Sequence, residues 1–591
     1  MEKSHIAFTS ETQLKHMIEA AQGLHEIDLV IENCRFLDVF QGKFQHGNVA
    51  VHRGLIVGVN DHYKAKQVYD AKGTYLVPGF IDAHVHIESS LLVPSQFERA
   101  VLPYGTTTVI WDPHEIANVK GKNGIDWALS AIENLLLDIF VMVSSCVPAT
   151  SPEAHLETGG AILHSGDIAE YRKHPRVLGL AEMMNYPGLL SGESDVLRKL
   201  MDYKHLRLDG HCPGLTGKEL NAYAVAGIHS CHESITLAEA KEKLMKGIHV
   251  LIREGSCAKD ADALLPLLDA YTSAVVALCS DDRNPADILA EGHLSCIIKK
   301  ALIKGIAAET IFRAASYAPA RLYNLNDRGA IAPGYIADFV MVEPDGKAWQ
   351  RGFSITAVYK TGILVDSLQL GMRGQTKVQF SSKNLHMPAC TLDDIQVVAK
   401  HESGRQKVNV IGVRPKQIVT DKLQATLLVH EGLVQADITQ DVLKITVLER
   451  HKNTGQRSVG FVKGFNLKEG AIATSIAHDS HNVIAIGADD QLLLSAIRHL
   501  REIDGGIVVV HANGQVESLQ LPVGGLMTDM MPEEVAERII KMKKLAKHAG
   551  CRLEEPFLQL SFLALPVIPA LKITDQGLID VETFKKISVC V

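Results

Sequence analysis

Short apolar runs alternate with longer amphipathic segments through the first half of the chain. The runs have the length of buried strands, and the segments between them carry apolar residues at helical spacing. The predicted strands are 77–86, 107–112, 139–146, 177–182, 207–211, 227–232, 249–254 and 274–281. The predicted helices include 96–102, 127–137, 195–202, 217–226, 236–246 and 261–271. Eight strands alternating with helices over about 250 residues predict a (β/α)8 barrel, an α/β fold.

Shorter strands punctuated by glycines flank the predicted barrel on both sides. Before it, a short helix begins after Ser10, which has capping-box spacing to Gln13. Strands are predicted there at 27–31, 35–38, 48–52, 55–59 and 66–70, and similar segments return at 329–342 and 357–365. We expect the two flanks to join into one small β-sandwich domain.

A third region follows Asp366, where strands are mixed with two long helices. Strands are predicted at 397–399, 407–413, 425–429, 443–448, 471–476, 507–511 and 517–521, and helices at 489–502 and 531–550. This pattern predicts a C-terminal α+β domain. The predicted division is therefore 1–76 for the first helix and the first part of the small β-domain, 77–326 for the barrel, 327–385 for the second part of the β-domain, and 386–591 for the C-terminal domain.

Composition and charge narrow the class of protein. The 591 residues are 46% hydrophobic, which is ordinary for a globular chain, and the net charge of −8 argues against nucleic acid as a partner. No window reaches the roughly 18 apolar residues of a membrane span, and no apolar signal core begins the chain. The ten cysteines form no CxxC pair. We therefore expect a cytoplasmic protein without a disulfide framework.

Metal-competent side chains stand at the ends of five predicted barrel strands, where barrel enzymes carry their active sites. His84 and His86 alternate on the first strand, so both imidazoles project from one face. The other strand ends bring the set to four histidines and two carboxylates by adding Glu182, His211, His232 and Asp281. The number exceeds the needs of one closed four-coordinate site, and it predicts two divalent ions sharing Glu182 as a bridging ligand. Nitrogen and oxygen donors favour zinc, manganese or iron.

Several phrases resemble a known family. The order of the six residues, with the opening phrase PGFIDAHVH at 78–86, resembles the amidohydrolase superfamily. Five further phrases resemble adenine deaminases more specifically: HIESS at 86–90, WDPHEIANV at 111–119, DGHCPG at 209–214, IREGS at 252–256 and AHDSHN at 477–482. The resemblance spans about residues 28–581. It implies hydrolysis of adenine to hypoxanthine and ammonia in purine salvage by a homodimer with two metal ions, with manganese or iron favoured and zinc possible.

Beside that resemblance, the residues suggest a mechanism. A metal-activated hydroxide would attack C6 of the purine while Asp281 accepts its proton as general base. Glu233, next to His232, would either act as a second acid or orient the neighbouring imidazole. Glu115 and Arg253 follow the second and seventh strands, and we expect them to contact the purine unless they only brace loops.

Two other interpretations of the barrel remain open. One is a different amidohydrolase reaction, which would cleave a cyclic amide or an N-acyl bond. Such enzymes commonly use a modified lysine at the fourth strand, where this chain has Glu182. The other is a non-catalytic scaffold, which the complete set of six ligands disfavours. The turn with His478 and His481 could reach the barrel mouth, bind another metal or pack structurally.

Overall fold

A computed structural model describes residues 10–366, 370, 380 and 383–591. Its central sheet contains eight parallel strands that pair in sequence order, and a bridge between Val85 and Asp281 joins the last strand to the first. In chain order they are β1 (Phe80–Val85), β2 (Thr106–Trp111), β3 (Asp138–Val143), β4 (Val177–Met183), β5 (Arg207–Gly210), β6 (Ser230–Cys231), β7 (His249–Arg253) and β8 (Val276–Cys279). The predicted (β/α)8 barrel is confirmed.

Helices surround the barrel strands. Their bounds are Pro94–Val101, His114–Lys120, Lys122–Ala131, Ser165–Ile168, Tyr186–Ser191, Ser194–Tyr203, Gly217–Val225, Leu237–Met245, Ala261–Leu264, Pro285–Glu291, Leu294–Ile303, Ala308–Ala314 and Tyr317–Leu322. The predicted helix 261–271 is wrong in length: the α-helix ends at Leu264, because Pro266 in the next turn has no N–H to continue the ladder.

The first predicted barrel strand, 77–86, is two strands that belong to different sheets. Tyr75–Pro78 pairs with Phe339–Pro344 in the small sheet, and only β1 belongs to the barrel. The chain changes sheets at Gly79, where a Cβ would lie 2.2 Å from Oγ1 of Thr107. This close approach explains why glycine stands at the junction.

Strands from both flanks of the barrel form one sheet, as predicted. Its eight strands are Ile27–Asp38, Lys43–His52, Leu55–Val59, Ala65–Asp70, Tyr75–Pro78, Phe339–Pro344, Phe353–Lys360 and Ile363–Leu364. The two strands predicted at 27–31 and 35–38 are one strand with a register shift between Ile31 and Cys34. The predicted first helix is present at Glu11–Ala21, and the Ser10 hydroxyl accepts a hydrogen bond from the backbone N–H of Gln13.

A buried ion network connects this sheet to the N-terminal end of the barrel. Asp138, the first residue of β3, accepts from Lys360 of the small sheet at 2.7 Å and from Arg328 at 2.6 Å. Arg176 contacts its other oxygen at 3.1 Å. Burial alone would raise the pKa of the Asp138 carboxyl, but Lys360 and Arg328 hold it well below its ordinary range.

The C-terminal region contains a nine-stranded sheet, a three-stranded sheet and helices. The larger sheet is formed by Gly404–Val413, Thr420–His430, Leu433–Val434, Val442–Leu448, Arg457–Lys463, Gly470–Ala477, Asn482–Gly487, Gly506–His511 and Val516–Gln520, and the smaller by Leu571–Thr574, Gly577–Asp580 and Lys585–Ile587. The helices are Asp490–Glu502, Pro532–His548 and Pro556–Ser561. The strand predicted at 397–399 is wrong: Val398 makes only an isolated bridge, to Leu433.

The C-terminal region packs directly on the barrel. Leu526, Met527 and Phe562 belong to the same buried apolar cluster as Leu92 and Trp111 of the barrel. This shared core fixes the C-terminal sheet over the barrel mouth. Among the residues that the structure describes, no helix combines the length and apolarity that crossing a membrane would require.

Candidate active site

The six predicted ligand side chains converge at the C-terminal end of the barrel, and all are buried: His84, His86, Glu182, His211, His232 and Asp281. His84 and Glu182 project from β1 and β4, whereas the other four follow the last residue of a strand within two positions. The Nε2 atoms of His84 and His86 lie 3.1 Å apart.

Glu182 occupies the middle of this group. Its Oε1 lies 3.3 Å from Nε2 of His86, and its Oε2 lies 3.2 Å from Nε2 of His232 and 2.5 Å from Nδ1 of His211. Burial alone would raise the pKa of this carboxyl, but His211 and His232 outweigh burial and lower it well below its ordinary range. The two oxygens thus face different histidines, which is the arrangement that a bridging ligand needs.

Asp281 closes the barrel and faces the histidines of β1. Its backbone has φ 55°, a left-handed conformation that non-glycine residues adopt mainly where the surroundings enforce it. Its Oδ1 lies 3.5 Å from Nε2 of His84 and 3.3 Å from Nε2 of His86, and its Oδ2 is 3.1 Å from Arg253. Burial opposes ionisation, but hydrogen bonds from the two imidazoles lower the pKa of the carboxyl well below its ordinary range. The carboxylate is therefore ionised.

The donor set fits divalent metal ions. Two Nε2 atoms at 3.1 Å can share only one proton between them, whereas a metal ion accepts both lone pairs at about 2.0–2.1 Å. Nε2 of His211 is buried and has no hydrogen-bond partner among the residues that the structure describes, which is costly for a polar nitrogen unless another group binds it. A bound metal ion would accept the lone pairs of the two close Nε2 atoms and would give Nε2 of His211 a partner. Four imidazoles and two carboxylates that face each other in a buried site are suitable ligands for such an ion.

Glu233 and Arg253 form an ion pair at the edge of this group. The Arg253 guanidinium also donates to Asp260 at 2.8 Å and to Asp281 at 3.1 Å. Burial alone would raise the pKa of the Glu233 carboxyl, but Arg253 and His211 lower it. Glu233 is therefore an ionised carboxylate within 3.6 Å of Nε2 of His232.

Glu115 contacts protein groups and not the cavity in which the substrate was predicted to bind. Its Oε1 accepts from the hydroxyl of Ser89 at 3.1 Å, and its Oε2 lies 3.1 Å from Nε2 of His481. Both oxygens are engaged by protein groups. Glu115 is also absent from the residues that line the cavity, whereas Arg253 lines it.

Two residues that we did not predict extend the group. His114, just after β2, places Nδ1 3.1 Å from Asp112 and 3.5 Å from Oε1 of Glu182. His86, Asp112, His114 and Glu182 together could hold a metal ion. The signal was available, because Asp112 and His114 follow β2 as His86 follows β1.

The C-terminal region completes the cavity above the metal-competent group. Its contribution to the lining is Ile418, His478, Asp479, Phe562 and Leu565. Asp479 lies 3.4 Å from Nε2 of His114, and His478 stacks on Phe562 with ring centroids 4.5 Å apart. Of the three placements left open for the turn with His478 and His481, the structure shows that it reaches the barrel mouth.

Comparison with known proteins identifies the class first. Residues 75–365 match the amidohydrolase family, and residues 417–585 match the adenine deaminase C-terminal domain. The first match covers the barrel and four of the eight strands of the small sheet, and the second covers most of the C-terminal sheet.

Full-length relatives then give the family. The chain is 44% identical to an adenine deaminase of Syntrophobacter fumaroxidans, with 98% of each chain covered. It is 45% identical to an adenine deaminase of Gluconobacter oxydans, covering 96% of this chain and 98% of the relative, and 42% identical to one of Brucella abortus, covering 97% of each. The chain belongs to the adenine deaminase family of amidohydrolases.

Proposed function

We propose that this chain hydrolyses adenine to hypoxanthine and ammonia. The proposal is carried by one observation: relatives named adenine deaminase align over both the barrel and the C-terminal region that together line the cavity. In the reaction, water adds to C6 of the purine, the C6–N6 bond breaks, and N6 leaves as ammonia. The catalyst must therefore position water, accept a proton from it and return a proton to the base.

We propose two divalent ions as cofactors, manganese or iron in preference to zinc. His84, His86, Glu182, His211, His232 and Asp281 would hold them, since their donor atoms face one another in the buried site. When bound, such ions supply a water molecule that is acidic enough to act as a nucleophile near neutral pH. Asp112 and His114 are additional candidates, because His114 contacts Glu182.

Asp281 and Glu233 are the proposed proton carriers. The Asp281 carboxylate is ionised and faces the metal-competent histidines, so it can accept a proton from the attacking water. Glu233 is also ionised, so it has to take up a proton before it can donate one to the purine ring. Arg253 contacts both carboxylates and fixes them relative to each other.

We propose that adenine binds in the cavity above the metal-competent group. Met184, Ile418, Phe562 and Leu565 provide apolar contacts for a flat base and exclude bulk water. We still propose Arg253 as a contact for adenine, because it lines the cavity. The same role for Glu115 stays a prediction with less support, since both its oxygens have protein partners.

Several finer statements accompany this proposal. We propose a homodimer that acts in purine salvage in the cytoplasm, with neither nucleic acid nor membrane as a partner; the net charge of −8 supports the exclusion of nucleic acid. The four-part division at residues 76, 326 and 385 also stays a prediction.

One assay separates adenine deamination from the alternatives. Purified chain is stripped of metal, reloaded with Mn(II) or Fe(II) and given adenine, with adenosine and cytosine as controls. We expect hypoxanthine and ammonia in equal amounts from adenine alone. Absence of hypoxanthine with every metal would contradict the proposal.

A further inference from the structure

A second cluster of histidine and carboxylate side chains lies beside the proposed metal centre. Glu115, His478 and His481 are buried, and one ligand atom from each lies within 4.8 Å of the others. Glu115 belongs to the helix after β2, whereas the two histidines belong to the turn between two strands of the C-terminal sheet. The cluster therefore joins the barrel to the C-terminal region.

The histidines of this cluster present nitrogen lone pairs that protein groups do not fully satisfy. Nε2 of His481 lies 3.1 Å from Oε2 of Glu115. Nδ1 of His478 faces Asp479 at 3.2 Å, and its buried Nε2 has no hydrogen-bond partner in the described part of the chain. A buried nitrogen without a protein partner is unfavourable, so Nε2 of His478 is available to bind an additional group.

The buried carboxylates around the cluster also favour the binding of a cation. The Ser89 hydroxyl lies 3.1 Å from Glu115 and 2.5 Å from Asp282, although its single proton can serve only one of them. Within residues 10–366 and 383–591, neither Glu115 nor Asp282 forms an ion pair with lysine or arginine, and the ion-pair partner of Glu115 is His481. Buried carboxylates normally have such a partner or a metal ion.

We propose that Glu115, His478 and His481 bind a further divalent transition-metal ion, separate from those held by the six barrel residues. Two imidazoles and one carboxylate form a donor set suited to zinc, manganese or iron. Asp479 connects this cluster to the barrel residues, because it contacts both His478 and His114. The ion would fix the C-terminal turn against the barrel and thereby hold Asp479 in the cavity wall.

Metal content tests this site without reference to activity. Wild-type chain and the variants Glu115→Gln, His481→Gln and His155→Gln are stripped, reloaded with Mn(II), desalted and analysed for manganese per chain. We expect one ion fewer in Glu115→Gln and His481→Gln, and no change in His155→Gln, which alters an exposed histidine. Folded variants that hold as many ions as wild type would overturn the proposal.

Anomalous scattering gives a second readout that does not depend on a stable variant. Crystals of the Mn(II)-loaded wild-type chain should show a peak about 2.0–2.2 Å from donor atoms of Glu115, His478 and His481. The peak should persist in Asp281→Asn, which alters only the barrel centre. Its absence in wild type, or its loss in Asp281→Asn, would contradict a separate site. Because neither readout uses adenine, failure of the deaminase assay would leave this result unaffected.

Discussion

Buried carboxylates lie at both ends of the same barrel, but their partners differ. At the N-terminal end, Asp138 is contacted by Lys360, Arg328 and Arg176, which carry permanent positive charges. At the C-terminal end, Glu182 is contacted by five imidazoles, which can give up their protons and become metal ligands. Each environment lowers the pKa of its carboxyl.

The comparison shows that burial and a shifted pKa do not by themselves identify a functional site. A carboxylate opposite lysine and arginine is already neutralised, so it contributes to the cohesion of the fold. A carboxylate opposite imidazoles is neutralised only if the imidazoles hold protons or if a metal ion binds. In barrels of this type, the N-terminal end serves stability and the C-terminal end serves catalysis.

Replacing Asp281, another buried carboxylate at the C-terminal end of the barrel, should have the largest effect. Asp281→Asn keeps the size of the side chain but removes its ability to accept a proton, so we expect kcat for adenine to fall by about 10²–10⁴-fold. Steady-state kinetics measure the loss, and metal analysis of the same sample separates it from loss of the ions. A variant with bound metal and the full rate would contradict the role of Asp281.

Replacing the carboxylate at the other end should affect stability instead. Asp138→Asn removes one of the two carboxylates that Lys360 and Arg328 each contact, while Asp338 stays with Lys360 and Asp327 with Arg328. We therefore expect the free energy of unfolding to fall by about 1.5–3 kcal/mol at pH 7. The kcat of the folded enzyme should stay the same. Urea unfolding measures the change, with the exposed pair variant Asp421→Asn as a control that should have a much smaller effect.

The effect of Asp138→Asn should also depend on pH with a defined sign. Because the folded state lowers the pKa of Asp138, this carboxylate stabilises the fold above the ordinary pKa of aspartate, about 3.9. Its contribution is lost as the pH falls through the lower folded value. The difference between wild type and Asp138→Asn should therefore shrink on acidification below pH 4. A difference that grows there would contradict the assignment.

The sequence predicted the C-terminal end of the barrel well, because strand periodicity and strand ends are local features. The convergence of six metal-competent side chains could be predicted from the position of each strand alone. The partners of Arg253 and Glu115 could not, since an Arg253–Glu233 pair and a contact between Glu115 and His481 depend on packing across elements. The split of the first predicted strand at Gly79 was missed for the same reason, because no local pattern indicates that the chain passes from one sheet to another there.

The C-terminal contribution to the cavity provides a more moderate test. Asp479→Asn should weaken the contacts that orient His114 and His478, so we expect a loss of about 10–100-fold in kcat/KM. Asp421→Asn is the control, because Asp421 is a partly exposed residue on a strand of the same C-terminal sheet. If Asp479→Asn had wild-type kinetics, the C-terminal turn would serve only to cover the barrel.

The smallest effect is expected for the apolar residues that line the cavity. Phe562→Leu removes an aromatic face that lines the cavity, and a contact of such a face with a flat base is worth about 1 kcal/mol, so KM for adenine should rise by about 5-fold with little change in kcat. Phe557→Leu is a matched control, because Phe557 is buried on the preceding helix but does not line the cavity. Equal KM values for the two variants would argue against contact between this wall and the substrate.

The central claim is that metal-loaded barrel residues add water to adenine, and oxygen labelling tests it most directly. The Mn(II)-loaded chain is incubated with adenine in H₂¹⁸O, and hypoxanthine and ammonia are quantified by mass and by amount. The account predicts one ¹⁸O atom in each hypoxanthine and one ammonia released for each. Hypoxanthine without the label, or no hypoxanthine at all, would contradict it.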